Sequence, residues 1–297
     1  MRPSLRTSEI GRCYMALCAR WRDLGEPERW LLIGSFAVDF AYHSGGLEND
    51  RISLRDTREV FDRDGVSAYT GDVRTLFELA NLKAMWSWTC ETLPAGFSFD
   101  TEELLFCHET LTHGTYDQRR WSLGERPGAF KRNMFEVADG VGDLPEDVPD
   151  AIDALLHEVR EALSTTRDAL GSLAVAAFLH ASLVDIHPFA DGNGRVARQL
   201  TNMVLLSECL PLVLVPIEDR MAYFGTLDAY HYDDELYPFM QFLAVETIRR
   251  WDGVVRGERV PLDGISNRRL PNTWAGSAKC RLPHANGARA WPVAAGR

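Results

Sequence analysis

The chain carries no excess of positive charge. Its 32 lysine and arginine residues are outnumbered by 43 aspartate and glutamate residues, which gives a formal net charge of -11 over 297 residues. Non-specific binding to nucleic acid needs a basic surface that neutralises many phosphates. The acidic balance therefore excludes a general nucleic-acid binder, although a local basic pocket for a smaller anion stays open.

Long apolar runs and paired cysteines are also lacking. The apolar stretch at residues 203–217 is broken by Glu208 and Pro211, so it predicts no membrane span. Arginines near the start interrupt the apolar centre that a signal peptide needs. Cys13 and Cys18 do not have the spacing of a zinc or redox pair. We expect a cytoplasmic protein with reduced thiols and no membrane partner.

Apolar residues recur at helical spacing along most of the chain, which predicts an all-α fold. Two stretches depart from this pattern. Adjacent glycines in the stretch 44–49 make a long helix unfavourable there. Periodicity also vanishes over residues 115–149, where a turn at 124–128 precedes a short apolar run that predicts a β-hairpin.

The same pattern suggests how the chain is divided. We expect N-terminal helices over residues 1–43, one main helical domain over residues 44–256 and a disordered tail over residues 257–297. The tail loses apolar periodicity and gains Gly, Pro, Asn and Arg, which is typical of disorder.

The strongest chemical signal is the stretch 187–198, HPFADGNGRVAR, at the start of a predicted helix. Gly192 and Gly194 let successive backbone N–H groups converge on an anion, and the positive end of the following helix favours phosphate at the same place. Arg195 and Arg198 lie three residues apart on that helix, so they share a face and can both grip phosphate oxygens.

Two further side chains of this stretch supply a base and a metal ligand. His187 titrates near neutral pH and can take a proton from an attacking hydroxyl. Asp191 can hold a Mg²⁺ ion that bridges phosphates. Phe189 is expected to anchor the loop in the core. The combination indicates phosphoryl or nucleotidyl transfer, which depends mainly on positioning and charge stabilisation.

Two simpler interpretations fit parts of the stretch. The spacing Gly192-x-Gly194-x-x-Ala197 formally matches a dinucleotide-binding fingerprint, but that motif follows a strand, whereas residues 173–183 have a helical pattern. An ordinary capped helix start with surface arginines and a structural histidine would explain any one of these residues. It does not explain their combination.

The stretch resembles the signature of the Fic family, His-x-Phe-x-(Asp/Glu)-Gly-Asn-Gly-Arg-x-x-Arg, and meets every fixed position. The resemblance implies the Fic fold, a helical bundle with a small β-hairpin flap. It also implies that ATP with Mg²⁺ is the nucleotide and that AMP is transferred to a Tyr, Thr or Ser hydroxyl of a protein. Phosphotransferase toxins of the Doc type carry lysine at the position of Gly194, so AMP transfer is favoured here.

The resemblance also implies roles by position. His187 is implied as the general base and Asp191 as the Mg²⁺ ligand. The residues implied to hold the phosphates are Gly192, Asn193, Gly194, Arg195 and, for the γ-phosphate, Arg198.

A second stretch, SGGLEN at residues 44–49, resembles the family's inhibitory signature, (Ser/Thr)-x-x-x-Glu-(Gly/Asn), through Ser44 and Glu48. A Glu48 carboxylate paired with Arg198 would remove the ligand of the γ-phosphate, so ATP could not bind productively. An ordinary helix cap is the alternative. The pair Gly45-Gly46 departs from the short helix that the family uses to present the glutamate.

Residues 125–132, ERPGAFKR, match the segment that leads into the family's flap, which the resemblance places near residues 125–138. The flap would clamp a target protein by strand addition beside the modified hydroxyl. The expected partner is therefore a protein substrate, with this chain itself as one candidate, and homo-oligomerisation is left open. Tyr223 and Tyr230 either line the adenine pocket or pack in the core.

Other functions stay open at this point. Within the same chemistry these are removal of AMP from a protein and transfer of another nucleotide or phosphate-containing group. A non-catalytic regulator that binds ATP belongs to a different class. The presence of both His187 and Asp191 speaks against such a regulator, because a pure binder needs no base.

Overall fold

A computed structural model of the chain describes residues 5–67, 69–135 and 142–258, and the all-α class is confirmed for these residues. Two 3-10 turns, Leu5–Thr7 and Ile217–Asp219, precede α1 and α10. The α-helices are α1 (Glu9–Asp23), α2 (Glu26–Gly46), α3 (Leu54–Arg63), α4 (Val73–Thr92), α5 (Thr101–Thr112), α6 (Gln118–Ser122), α7 (Val148–Thr165), α8 (Ala169–Ile186), α9 (Asn193–Ser207), α10 (Arg220–Asp233) and α11 (Tyr237–Val255).

Polar residues cap the start of many of these helices. In each case the side-chain oxygen accepts a hydrogen bond from a backbone N–H of the first turn, which satisfies a donor that has no partner within the helix. The capping residues are Ser8, Ser53, Asp72, Asp100, Asp117 and Asp168.

Helix α8 lies at the centre of the bundle, where it packs against α1, α7, α9, α10 and α11. Its 18 residues and mean hydropathy of 1.7 would suffice for a membrane span by length and composition, yet 67% of them are buried inside the protein. A helix that is apolar all round is expected in the core of a bundle. The central position of α8 therefore accounts for its composition.

The N-terminal helices share this core. The ring of Trp21 on α1 lies 4.9 Å from that of Trp251 on α11, measured between centroids. Phe36 on α2 lies 5.4 Å from Trp86 on α4 in the same way. Helix α2 also runs through the division predicted between residues 43 and 44.

Helix α2 continues to Gly46, although its adjacent glycines predict an interruption. That prediction is wrong because both glycines permit close packing. A Cβ atom at Gly45 would lie 2.5 Å from Cδ1 of Ile52, and one at Gly46 would lie 2.4 Å from Cδ1 of Ile217. Each glycine costs a helix about 1 kcal/mol relative to alanine. The contacts that they allow place the end of α2 against the rest of the bundle.

The β-hairpin flap predicted near residues 125–138 is not present in the described part of that segment, residues 125–135, which forms turns and irregular backbone. Residues 136–138 lie outside the described chain. Glu125, only 1% exposed, explains the difference. Its carboxylate accepts hydrogen bonds from the backbone N–H groups of Arg132 and Asn133, both at 3.1 Å. These amides are paired with a side chain and do not serve a strand ladder.

Helix α9 is tied to the extended segment that follows it. Asn202 is fully buried, donates through Nδ2 to the carbonyl of Val213 at 3.0 Å, and accepts from the N–H of Val213 at 2.9 Å. One side chain thus satisfies both backbone groups of a buried residue, which would otherwise be costly to leave unpaired.

We predict that Asn202→Ala lowers the free energy of unfolding by about 2–4 kcal/mol, because two buried backbone groups lose their partner. Urea unfolding followed by tryptophan fluorescence measures the change. Ser207→Ala on the same helix is the matched control, since it removes a partly buried hydroxyl that donates only to the carbonyl of Val204. Equal losses in the two variants would contradict the prediction.

Candidate active site

Residues 187–192 form the loop that joins α8 to α9. The loop reverses the chain with left-handed backbone at both ends, φ 50° at His187 and φ 90° at Gly192. Glycine is required at position 192 for two reasons. Its positive φ is unfavourable for other residues, and a Cβ atom there would lie 2.6 Å from Cγ2 of Thr112. The imidazole therefore stands at one end of the loop and the start of α9 at the other.

Asn193 holds this loop in shape. Its Oδ1 accepts from the backbone N–H of Phe189 at 2.9 Å, and its Nδ2 donates to the carbonyl of the same residue at 2.8 Å. Phe189 is fully buried, as the sequence predicts. The side chain of Asn193 is thus committed to the backbone of the loop, which orients the amides at the start of α9.

A buried histidine outside the motif joins the loop to residues 125–135. The ring of His108 stacks on Phe189 at a centroid distance of 3.7 Å and an interplanar angle of 6°. Its Nδ1 accepts from the N–H of Gly128 at 3.0 Å, so Nε2 carries the proton and donates to the carbonyl of Asp191 at 3.1 Å. Burial lowers the pKa of His108 to about 3, so this neutral tautomer persists at physiological pH.

His187 lies in an environment that disfavours its charged form. Burial, followed by the positive charge of Lys131, lowers the pKa of His187 to about 4. The N–H of Lys131 donates to the carbonyl of Pro188 at 2.8 Å, which fixes this segment beside the loop. The imidazole is therefore neutral, and able to accept a proton, throughout the neutral range.

Asp191 is surrounded by guanidinium groups. One oxygen, Oδ2, lies 2.6 Å from Nη2 of Arg74 and 3.9 Å from Nη2 of Arg120, while Oδ1 lies 3.4 Å from Nη2 of Arg195. Burial opposes ionisation of this carboxyl, but these three arginines outweigh it and the pKa of Asp191 falls below its ordinary value. Asp191 is therefore an anion at neutral pH.

Arg198 and the stretch 44–49 meet directly. Nε of Arg198 donates to Oγ of Ser44 at 2.9 Å, and Nη2 donates to the Ser44 carbonyl at 2.8 Å and to Oε1 of Glu48 at 2.8 Å. The side chain of Arg198 is 3% exposed and that of Glu48 is 38% exposed. A buried cation is thus neutralised by a carboxylate that lies at the surface of the site.

The Glu48 carboxylate also lies over the start of α9. A Cβ atom at Gly194 would be 2.3 Å from Oε1 of Glu48 and 2.9 Å from Nη1 of Arg198. The first N–H groups of a helix have no partner within it and carry partial positive charge. Glu48 therefore occupies a place suited to an anion, between these amides and Arg198.

Asn49, the last residue of the stretch, connects it to helix α4. Nδ2 of Asn49 donates to Oε2 of Glu78 at 2.7 Å. The other oxygen of Glu78 accepts from Nε of Arg74 at 3.0 Å and lies 3.9 Å from Nη1 of Arg195. The residue after Glu48 is thus linked through one buried carboxylate to two of the arginines around Asp191.

The sequence-predicted residues from Ser44 to Arg198 therefore converge on one site, and four others were missed. The missed residues lie far upstream of the motif and carry no spacing of their own; they are Arg74, Glu78, His108 and Arg120. One signal existed for Glu78, which stands among apolar residues on the core side of α4 and is 4% exposed. A charged residue at a buried helical position needs a partner.

The two tyrosines named from the sequence as pocket or core residues have different neighbours. Tyr223 is buried and faces Arg198, whereas the hydroxyl of Tyr230 forms a hydrogen bond with that of Ser182.

Comparison with known proteins agrees with this geometry. The Fic/DOC family profile matches residues 98–205. Residues 98–205 thus resemble the Fic/DOC family. It is 33% identical over 231 residues to a protein adenylyltransferase Fic of Nematostella vectensis, covering 77% of this chain and 51% of the relative. It is 28% identical to the Drosophila virilis protein of the same name, covering 68% of this chain and 39% of the relative. The chain thus spans about half the length, or less, of these relatives.

Solved structures show the same fold. The Fic-1 protein of C. elegans superposes with a TM-score of 0.70 at 22% identity, covering 84% of this chain and 72% of that one. A Fic-domain-containing signalling protein of Bacteroides thetaiotaomicron superposes with a TM-score of 0.70 at 21% identity, covering 87% of this chain and 100% of that one.

We predict that the imidazole of His187 titrates near pH 4, well below the ordinary histidine value of about 6.5. The base form is therefore retained as the pH falls through 6 and is lost only near the lowered pKa. Imidazole resonances followed by NMR between pH 7.5 and pH 4.5 test this, with assignment by loss of the signal in His187→Asn. A midpoint above pH 6 for that signal would contradict the prediction.

Proposed function

We propose that this chain is a protein adenylyltransferase that transfers AMP from ATP to a protein hydroxyl, and that Glu48 restrains it in the conformation described. The observation that carries the proposal is the Glu48 carboxylate at 2.8 Å from Nη2 of Arg198. The acidic side chain of Glu48 pairs with Arg198 and lies close to the backbone amides at the start of α9. The phosphates of a nucleotide would bind at this same place. The curated relatives named above are adenylyltransferases, which supports the same activity for this chain.

The loop would carry out the transfer as follows. His187, neutral at physiological pH, takes the proton of the target hydroxyl as its oxygen bonds to the α-phosphorus of ATP. The bond between the α-phosphorus and the oxygen that bridges it to the β-phosphorus breaks. Pyrophosphate leaves and keeps the electron pair of that bond. The helix-start amides and Arg195 would stabilise charge on the phosphate oxygens, and Arg198 would hold the γ-phosphate.

Mg²⁺ fits this site as an ion shared with the nucleotide. The described residues contain no cluster of three or more His, Cys, Asp or Glu that could hold a metal by themselves. Mg²⁺ is usually bound through one or two carboxylates together with substrate phosphates, so one carboxylate is enough. Asp191 would be that ligand, because the contact between its Oδ1 and Nη2 of Arg195 is long, at 3.4 Å, and leaves this oxygen available to the ion. When bound, the ion would neutralise charge on the phosphate oxygens.

We predict that Glu48→Gly raises self-labelling with radioactive ATP by about 10- to 100-fold. A charge-assisted hydrogen bond of about 1.5–3 kcal/mol no longer competes with the nucleotide for Arg198. Incorporation of label into the purified protein, with mass spectrometry of the AMP adduct, measures the change.

Two controls accompany this variant. Asp50→Ala removes an exposed acidic residue two positions along and should leave labelling at the wild-type level. Glu48→Gly combined with His187→Ala should abolish the adduct. Equal labelling of wild type and Glu48→Gly would contradict the restraint, and ATP binding without an adduct on this chain or on lysate proteins would favour a non-catalytic regulator.

We predict further that Asp191→Asn removes the Mg²⁺ dependence of ATP binding. Calorimetric titrations use Glu48→Gly combined with His187→Ala, so that ATP is bound and not consumed. This background should bind ATP more tightly with Mg²⁺ than with EDTA, and adding Asp191→Asn should reduce that ratio of affinities by at least about 10-fold, since one charged ligand of the ion is lost. Asp72→Asn, on the neighbouring helix cap, is the control. An unchanged Mg²⁺ effect in Asp191→Asn would exclude Asp191 as the ligand.

A further inference from the structure

Arg198 has a fourth contact that the motif does not include. Its Nη1 lies 3.5 Å from the hydroxyl of Tyr223, a residue of α10 that is 1% exposed. Tyr223 in turn lies 2.8 Å from Nε2 of His180, and Nδ1 of His180 lies 2.9 Å from Oγ1 of Thr201. A row of buried polar groups therefore runs from Arg198 through α10 and α8 and back to α9.

The donor and acceptor roles along this row follow from its last member, Thr201. Oγ1 of Thr201 donates its one hydrogen to the carbonyl of Ala197 at 2.8 Å, and a carbonyl only accepts. Thr201 must therefore accept from Nδ1–H of His180, which leaves Nε2 of a neutral imidazole as an acceptor. The hydroxyl hydrogen of Tyr223 points to Nε2, and the lone pairs of its oxygen face Arg198.

The burial of His180 keeps this direction fixed. His180 is 1% exposed, and burial, followed by the charge of Arg198, holds its pKa well below the ordinary histidine value. A protonated His180 would donate from both nitrogens and turn the hydrogen of Tyr223 towards a guanidinium group. The neutral tautomer avoids this conflict, so the row presents an acceptor to Arg198.

This acceptor does not belong to the inhibitory stretch. Ser44 and Glu48 contact Arg198 from the end of α2, whereas Tyr223, His180 and Thr201 lie on helices packed in the core. We propose that Tyr223, oriented by His180, is a positioning residue that holds the Arg198 guanidinium for the γ-phosphate after Glu48 has moved away. The proposal rests on the proposed function, in which Arg198 binds that phosphate.

The test compares ATP with ADP, because only ATP carries the γ-phosphate. Calorimetric titrations with both nucleotides use the full chain with Glu48→Gly and His187→Ala, so that the site is open and ATP is not consumed. We expect Tyr223→Phe in this background to weaken ATP binding by about 3- to 10-fold and to leave ADP binding unchanged.

Tyr230→Phe is the matched control, because it removes a hydroxyl from the same helix that bonds to Ser182 at 2.8 Å and does not face Arg198. It should leave the ratio of ATP to ADP affinity unchanged. A thermal melt of each variant shows that the chain is folded. A merely structural role for Tyr223 would weaken both nucleotides together, and that result would overturn the proposal.

Arg198→Ala separates this proposal from the one on which it rests. If Arg198→Ala keeps the preference for ATP over ADP, the assignment of the γ-phosphate to Arg198 fails, and the positioning role fails with it. If Arg198→Ala loses the preference and Tyr223→Phe keeps it, only the positioning role is wrong. Loss in both variants, with retention in Tyr230→Phe, supports the proposal.

Discussion

The ion pair between Arg198 and Glu48 is the interaction on which the described site depends. A guanidinium group that is 3% exposed must have its charge balanced, since an uncompensated buried charge is strongly destabilising. Glu48 supplies that balance from the end of α2, and Ser44 fills two more of the donors. A nucleotide phosphate could supply the same balance, so the two anions are alternatives for one cation.

The remaining contacts fix the positions of the loop 187–192 and of the stretch 44–49 relative to each other. Asn193 shapes the loop through the backbone of Phe189, and His108 bridges this loop to residues 125–135. Glu78 joins Asn49 to Arg74, which pairs with Asp191. The stretch 44–49 is therefore attached both to the arginine that it neutralises and to the neighbours of the carboxylate proposed to bind metal.

The surroundings lower the pKa of both His187 and Asp191, but through different causes. His187 loses affinity for its proton because it is buried beside a lysine, so it is neutral and ready to accept one. Asp191 is buried as well, but the arginines around it keep it ionised. Two titratable groups of one loop thus hold the protonation states that a base and a cation ligand require.

The sequence by itself determined the helical class and the resemblance to the Fic family, because apolar periodicity and the residues 187–198 are local patterns. It also named both partners of the central ion pair through two signatures. Only the tertiary structure decided that α2 continues through Gly45 and Gly46, since the need for glycine comes from Ile52 and Ile217. Likewise the carboxylate of Glu125 replaces a strand ladder in residues 125–135. The contacts that His108, Glu78 and Tyr223 make with the site emerge only in the fold, because contacts between residues distant in the chain leave no spacing that a sequence can show.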